Sequence, residues 1–138
     1  MTSVSYDYFP HDADMGIIGR GPTLEAAFVA AAQATFALMV DLAAVRPEVA
    51  VRFSFEEPDP EFALVEWLNR LLAEARANGL ALGRFHLARS GDRWSGEAWG
   101  EPWRDDLERG TEVKGATLTM LSVRPTDGGW EARCVVDL

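Results

Sequence analysis

Cysteine is almost missing from this sequence: Cys134 is the only one in 138 residues, so no internal disulfide can form. That agrees with a reducing compartment. Basic residues are in deficit, 13 against 22 acidic ones, for a formal net charge of -9. An acidic surface repels phosphate backbones, which argues against direct binding to nucleic acid. It suits a cationic partner, or a protein that gathers cations. No apolar run approaches the roughly 20 residues of a membrane span. No basic N-terminal region precedes an apolar run, so no signal peptide is read, and a cytoplasmic protein is expected. Repeats, low-complexity tracts and linkers are lacking too, so one domain over residues 1–138 is expected. Nor is there a phosphate loop, a zinc-type cysteine cluster or a serine nucleophile elbow. The motifs therefore give no support to an enzyme.

Hydrophobic residues are plentiful, at 48 % with five Trp and seven Phe, enough to build a core. The spacing predicts a first helix from Leu24 to about Leu42. Thr23 can cap it, and Leu24, Phe28, Ala32, Phe36 and Met39 form an apolar stripe. Its other side is mostly alanine, so cover on more than one face is expected. A second helix is predicted from Pro60 to about Ala77, capped by Asp59 and ended by Asn78-Gly79. The rest reads as strands. Val49, Val51, Phe53 and Phe55 alternate with smaller or polar residues. Two hairpins are expected, turning at Ser90-Gly91-Asp92 and at Asp127-Gly128-Gly129. In the last strand Trp130, Ala132, Cys134 and Val136 share one face, and Glu131, Arg133, Val135 and Asp137 the other. Two long helices with several antiparallel strands make the class α+β.

The densest chemistry is His11-Asp12-Ala13-Asp14. If the segment is extended, Asp12 and Asp14 project from one face and His11 from the other. Paired carboxylates repel unless a cation lies between them, and oxygen ligands suit calcium, magnesium or manganese better than zinc. The alternative is a solvated turn in which the aspartates accept from nearby backbone N–H groups. The final strand bears on the choice. "CVVDL" carries Asp137 and the main-chain oxygens of Leu138. If it pairs beside Asp14, three oxygen donors meet and a hard divalent cation would offset their repulsion. Lys114 reads as a surface lysine in a salt bridge, His86 as a structural histidine, and Cys134 as a packed thiol. Trp94, Trp99 and Trp103 lack the interleaved basic residues of a base-stacking platform and read as core or interface.

Five blocks, in order and spanning nearly the whole chain, are similar to the archease family: "FPHDADMGI", "GPTLEAAFVAAAQATFALMVD", "LVEWLNRLLAEARANGLALGRF", "EVKGAT" and "WEARCVVDL". The first and last together are specific. The resemblance implies an α+β sandwich of two long helices on mostly antiparallel sheets. It implies a metal site, described with calcium, at Asp14, Asp137 and Leu138. Among the residues of the matching blocks, His11, Asp12 and Lys114 are accessory candidates. Magnesium or manganese could take the place of calcium. It also implies a role as a non-catalytic activator of the GTP-dependent RNA-splicing ligase, in tRNA splicing or RNA repair, promoting the ligase's guanylylation and multiple turnover. Asp12 stands where the family usually has Thr or Ser, and Leu118-Thr119 where it often has Tyr-His. The competing reading is a stand-alone metal-dependent hydrolase built on residues 11–14.

Overall fold

The computed structural model describes residues 3–138 and contains the α+β architecture that the patterns predict. Strands β1 (Ser5–His11) and β2 (Asp14–Gly21) form a tight hairpin, followed by helix α1 (Leu24–Ala37). After a single 3-10 turn come β3 (Val49–Glu56) and α2 (Pro60–Asn78). Then follow β4 (Leu80–Ser90), β5 (Arg93–Pro102), β6 (Gly115–Ala116), β7 (Ser122–Thr126) and β8 (Gly129–Asp137). One antiparallel sheet runs β1-β2-β8-β6, with β7 also paired to β8; the other runs β3-β5-β4.

The helices lie between the sheets. Against the first sheet, Gly19 of β2 meets the backbone of Ala27 and Ala31 in α1. Against the second, Phe28 stacks on Trp94 at 5.2 Å and Phe36 meets Phe85 at 5.1 Å. This explains the alanine-rich back of α1: Ala27, Ala30, Ala31 and Ala34 are all fully buried, as in a helix covered all round. Trp67 of α2 packs against Phe53 and donates its indole N–H to the Phe28 carbonyl at 2.9 Å, tying the two helices together. Trp94 is buried, as expected of a core residue, while Trp99 and Trp103 are partly exposed. Cys134 is fully buried, and that burial pushes its thiol up to about 12. His86 is exposed on β4.

Two elements differ from expectation. Helix α1 stops at Ala37 and not near Leu42, because the chain beyond supplies other partners. The carbonyls of Leu38 and Met39 accept from the backbone N–H groups of Thr111 and Gly110 at 2.8 and 2.7 Å. Asp41 then caps the separate 3-10 turn Leu42–Ala44. The first arm of the last hairpin is also broken. Only Gly115 and Ala116 pair with β8 as β6, and the chain loops out before β7. Met120, with φ 56, cannot continue a strand.

On the outer face of the first sheet, Arg20, Arg124 and Arg133 converge on one carboxylate, Glu131, which is 6 % exposed. Burial is the largest single influence and pushes its pKa up. The hydrogen bonds and charges of Arg133 and Arg124 outweigh it and hold the carboxyl below its ordinary 4.5. A depressed carboxyl contributes stability above that ordinary value and loses it as pH falls through the folded one. Glu131→Gln is therefore expected to lower the denaturant midpoint at about pH 7 and to flatten its fall toward about pH 3. An acid limb as steep as the wild type's would show that Glu131 is not the group responsible.

Candidate metal centre

The site is built where β2 and β8 run side by side. Their register pairs Met15 with Val136 and Gly16 with Val135. One step further sets Asp14 opposite Asp137. Tyr8, next to Ile17, donates its hydroxyl to Ala34 of α1, so that alternate set of side chains faces the helices. Asp14 and Asp137 belong to the other set and face outward. The decisive contact is between segments 124 residues apart: the Leu138 backbone N–H donates to Asp14 Oδ1 at 3.1 Å. Asp14 and the main chain of Leu138 are thus in direct contact, with Asp137 on the neighbouring strand position.

Asp137 is clamped from its far side. Its carbonyl accepts from the Lys114 N–H at 2.8 Å, and Gly115 of β6 is its strand partner. Strand β6 is only two residues long and is held by α2. The Asn69 side chain accepts from the Ala116 N–H at 2.8 Å and donates to the Ala116 carbonyl at 3.2 Å, copying a strand's hydrogen bonds. Arg76 donates to the carbonyls of Val113 and Lys114. These positioning residues were missed in the sequence. Asn69 and Arg76 read there as polar points on a helix, and only their register against residues 113–116 reveals the role.

The first motif departs from an extended strand. His11 pairs with Asp14 across a two-residue connection, Asp12-Ala13, and Asp12 sits in the left-handed region at φ 54. This corrects two expectations. Asp12 does not share a face with Asp14; it stands at the loop tip, its side chain 93 % exposed. His11 does share Asp14's face, because residues directly opposite in an antiparallel pair point the same way. His11 Nδ1 lies 3.9 Å from Asp12 Oδ2. Lys114 is exposed as predicted, but no carboxylate among the described residues lies within ion-pair distance of its ammonium, so the expected salt bridge is not formed.

The donors present are oxygens, and they fit a hard divalent cation better than a soft one. No three His, Cys, Asp or Glu side chains among the described residues gather closely enough to hold a metal. Asp14 and Asp137 supply two carboxylates, and the main-chain oxygens of Leu138 follow directly after Asp137 in the chain. Asp14 and Asp137 thus stand at facing strand positions with outward carboxylates, and one Asp14 oxygen already accepts from the Leu138 N–H.

Both the sequence and the fold match known proteins. A sequence model of the archease protein family matches residues 6–138. A protein archease of Sulfolobus acidocaldarius is 33 % identical over 136 residues, covering 96 % of this chain and 98 % of the relative. One from Methanosarcina mazei is 31 % identical over 140 residues, covering 96 % and 95 %. Among solved structures, Methanobacterium thermoautotrophicum protein 1598 superimposes with a TM-score of 0.81 at 29 % identity, over 97 % of this chain and 99 % of that one. The crystal structure of a Thermotoga maritima archease, described as a possible chaperone, gives 0.65 at 20 % identity over 94 % of each chain, a likeness of fold.

Proposed function

This chain belongs to the archease family, and from that premise we propose that it is a non-catalytic, metal-binding accessory protein that activates the GTP-dependent RNA-splicing ligase. The reading extends to guanylylation of the ligase and its repeated turnover in tRNA splicing or RNA repair. The single observation that supports it most is the Leu138 N–H bond to Asp14 at 3.1 Å, which brings together two of the three residues proposed to hold the ion. Calcium is the favoured ion, with magnesium or manganese as substitutes.

Guanylylation is nucleotidyl transfer, and a bound divalent ion supplies positive charge that neutralises phosphate oxygens in such reactions. The chain's own contribution is to hold the carboxylates of Asp14 and Asp137 outward on one sheet end. Asn69 and Arg76 keep strand β6 against Asp137, and the Leu138 N–H fixes the Asp14 carboxylate. The net charge of -9 favours a cationic protein surface over RNA as the direct contact.

The test is multiple-turnover ligation by the ligase of the same organism, with GTP and manganese, comparing no addition, wild type and Asp14→Ala. Wild type is expected to raise the turnover number about tenfold or more, and Asp14→Ala to return it to the unassisted level, a loss of about 1.4 kcal/mol or more. Equal stimulation by both would remove the aspartate from the mechanism. No stimulation by either would end the activator reading. One observation favours the alternative hydrolase: His11 stands across from Asp14 and could act as its general base. Phosphatase or nuclease activity without any partner, lost in His11→Ala, would support that alternative.

A further inference from the structure

The most exposed large apolar side chains among the described residues are two in one short loop, Leu118 at 60 % and Met120 at 55 %. Neither is on a floppy tip. The Thr117 N–H and hydroxyl both donate to the Val135 carbonyl, at 3.0 and 2.8 Å. The Val135 N–H donates to the Thr119 carbonyl at 3.0 Å, and the Thr119 N–H to the Thr117 hydroxyl at 3.2 Å. Leu121 N–H closes the turn on the Leu118 carbonyl at 3.3 Å. Within this frame Met120 is held at φ 56, a conformation that glycine or asparagine adopts far more readily than methionine. The fold therefore carries two disfavoured features in five residues: apolar side chains in water and a side chain in the left-handed region. Strain of this kind persists where the surroundings impose it, and it concentrates at binding sites.

Position supplies the partner's chemistry. The loop is fastened to β8 at Val135, two residues before Asp137, so its apolar tip adjoins the carboxylate end of the sheet. Asp14 and the exposed Asp12 complete that acidic flank. We infer that residues 117–121 form a rigid docking knob, with Leu118 and Met120 entering an apolar socket of the activated ligase whose rim is cationic where it meets Asp137 and Asp14. This rests on the activator reading above and names the contact through which it would operate. Pre-ordering of the loop lowers the entropy lost on binding, and a few well-packed, desolvated anchors carry most of an interface's affinity.

The test measures the affinity of the full chain for the purified ligase by calorimetry, with wild type, Leu118→Ser and Met120→Gly. Each variant is expected to weaken binding about tenfold, and the pair together about a hundredfold. Met120→Gly separates docking from folding, because it relieves the left-handed methionine. Its Tm should hold or rise by about 2 °C while affinity falls. Calcium binding should be unchanged in both variants. Affinity equal to wild type would overturn the knob and leave the activator reading standing. A lower Tm in Met120→Gly would assign the side chain to the fold and overturn the knob as well. No binding by the wild-type chain would overturn both together.

Discussion

Gly19→Val is expected to cost about 3 kcal/mol or more and to lower Tm by about 10 °C or more. A Cβ at this position would lie 2.2 Å from the Ala27 carbonyl oxygen and 2.4 Å from the Ala31 nitrogen. Both are backbone atoms of α1, so no side chain can swing aside. The helix cannot retreat either, because its far face is stacked on the second sheet through Phe28 on Trp94 and Phe36 on Phe85. Relief would require one sheet to separate from the helix layer, which exposes apolar surface worth roughly 25 cal/mol per Å². The contrast is Gly91, in the β4–β5 turn at φ 60 with nothing within 4 Å of its added Cβ. There only backbone conformation opposes substitution, and Gly91→Ala should cost about 1 kcal/mol. Guanidinium melts of the two variants check the ranking. A Gly19→Val chain as stable as Gly91→Ala would mean that α1 is not clamped between the sheets.

The same clamp marks the limit of what the sequence discloses. Both helices, the half-buried strand at Val49–Glu56 and both hairpin turns follow from spacing and caps, because those signals are local. Even the double cover of α1 was legible, in the alanines behind Phe28 and Phe36. The end of α1 was not. It is set by Gly110 and Thr111, whose N–H groups reach the Leu38 and Met39 carbonyls from 71 or more positions away in the chain. The site divides in the same manner. Asp14, Asp137 and Leu138 were nameable as oxygen donors, and the structure brings Asp14 and Leu138 into contact. The facing of His11 and Asp12 was misread because alternation assumes an unbroken strand, and one left-handed residue at Asp12 cancels it. Asn69 and Arg76 carry no local signature at all. Their task, holding β6 beside Asp137, exists only between a helix and backbone groups 37 to 47 residues further along the chain.

Calcium is expected to raise the Tm of this chain by about 10 °C when supplied at a hundredfold excess over its dissociation constant. Mass action sets the size of the shift: a ligand that binds only the folded state at that excess stabilises it by about 2.7 kcal/mol. For a chain of this length each kcal/mol moves Tm by about 4 °C. The variants divide that shift by role. Asp14→Asn keeps an oxygen that can accept from the Leu138 N–H and removes only the charge, so its own effect on the unliganded fold should be small. If the charge contributes about a hundredfold in affinity, the calcium shift falls to about 1–2 °C; a tenfold contribution would leave about half. Asp137→Asn should behave alike, since its carboxylate faces outward from the adjacent strand position. Asp12→Asn should keep nearly the whole shift. Its side chain stands 93 % exposed at the loop tip, and asparagine suits φ 54 at least as well as aspartate does. Magnesium at equal concentration should shift Tm less, because it demands octahedral geometry and gives up water reluctantly, and two outward carboxylates beside a main-chain oxygen do not enforce that cage. Scanning calorimetry with calcium, magnesium and chelator decides the matter. An undiminished calcium shift in Asp14→Asn would place the ion elsewhere on an acidic surface. A shift lost in Asp14→Asn and Asp137→Asn but kept in Asp12→Asn would make the β2–β8 end of the sheet the cation site, and the bond from Leu138 to Asp14 the reason it is formed before the ion arrives.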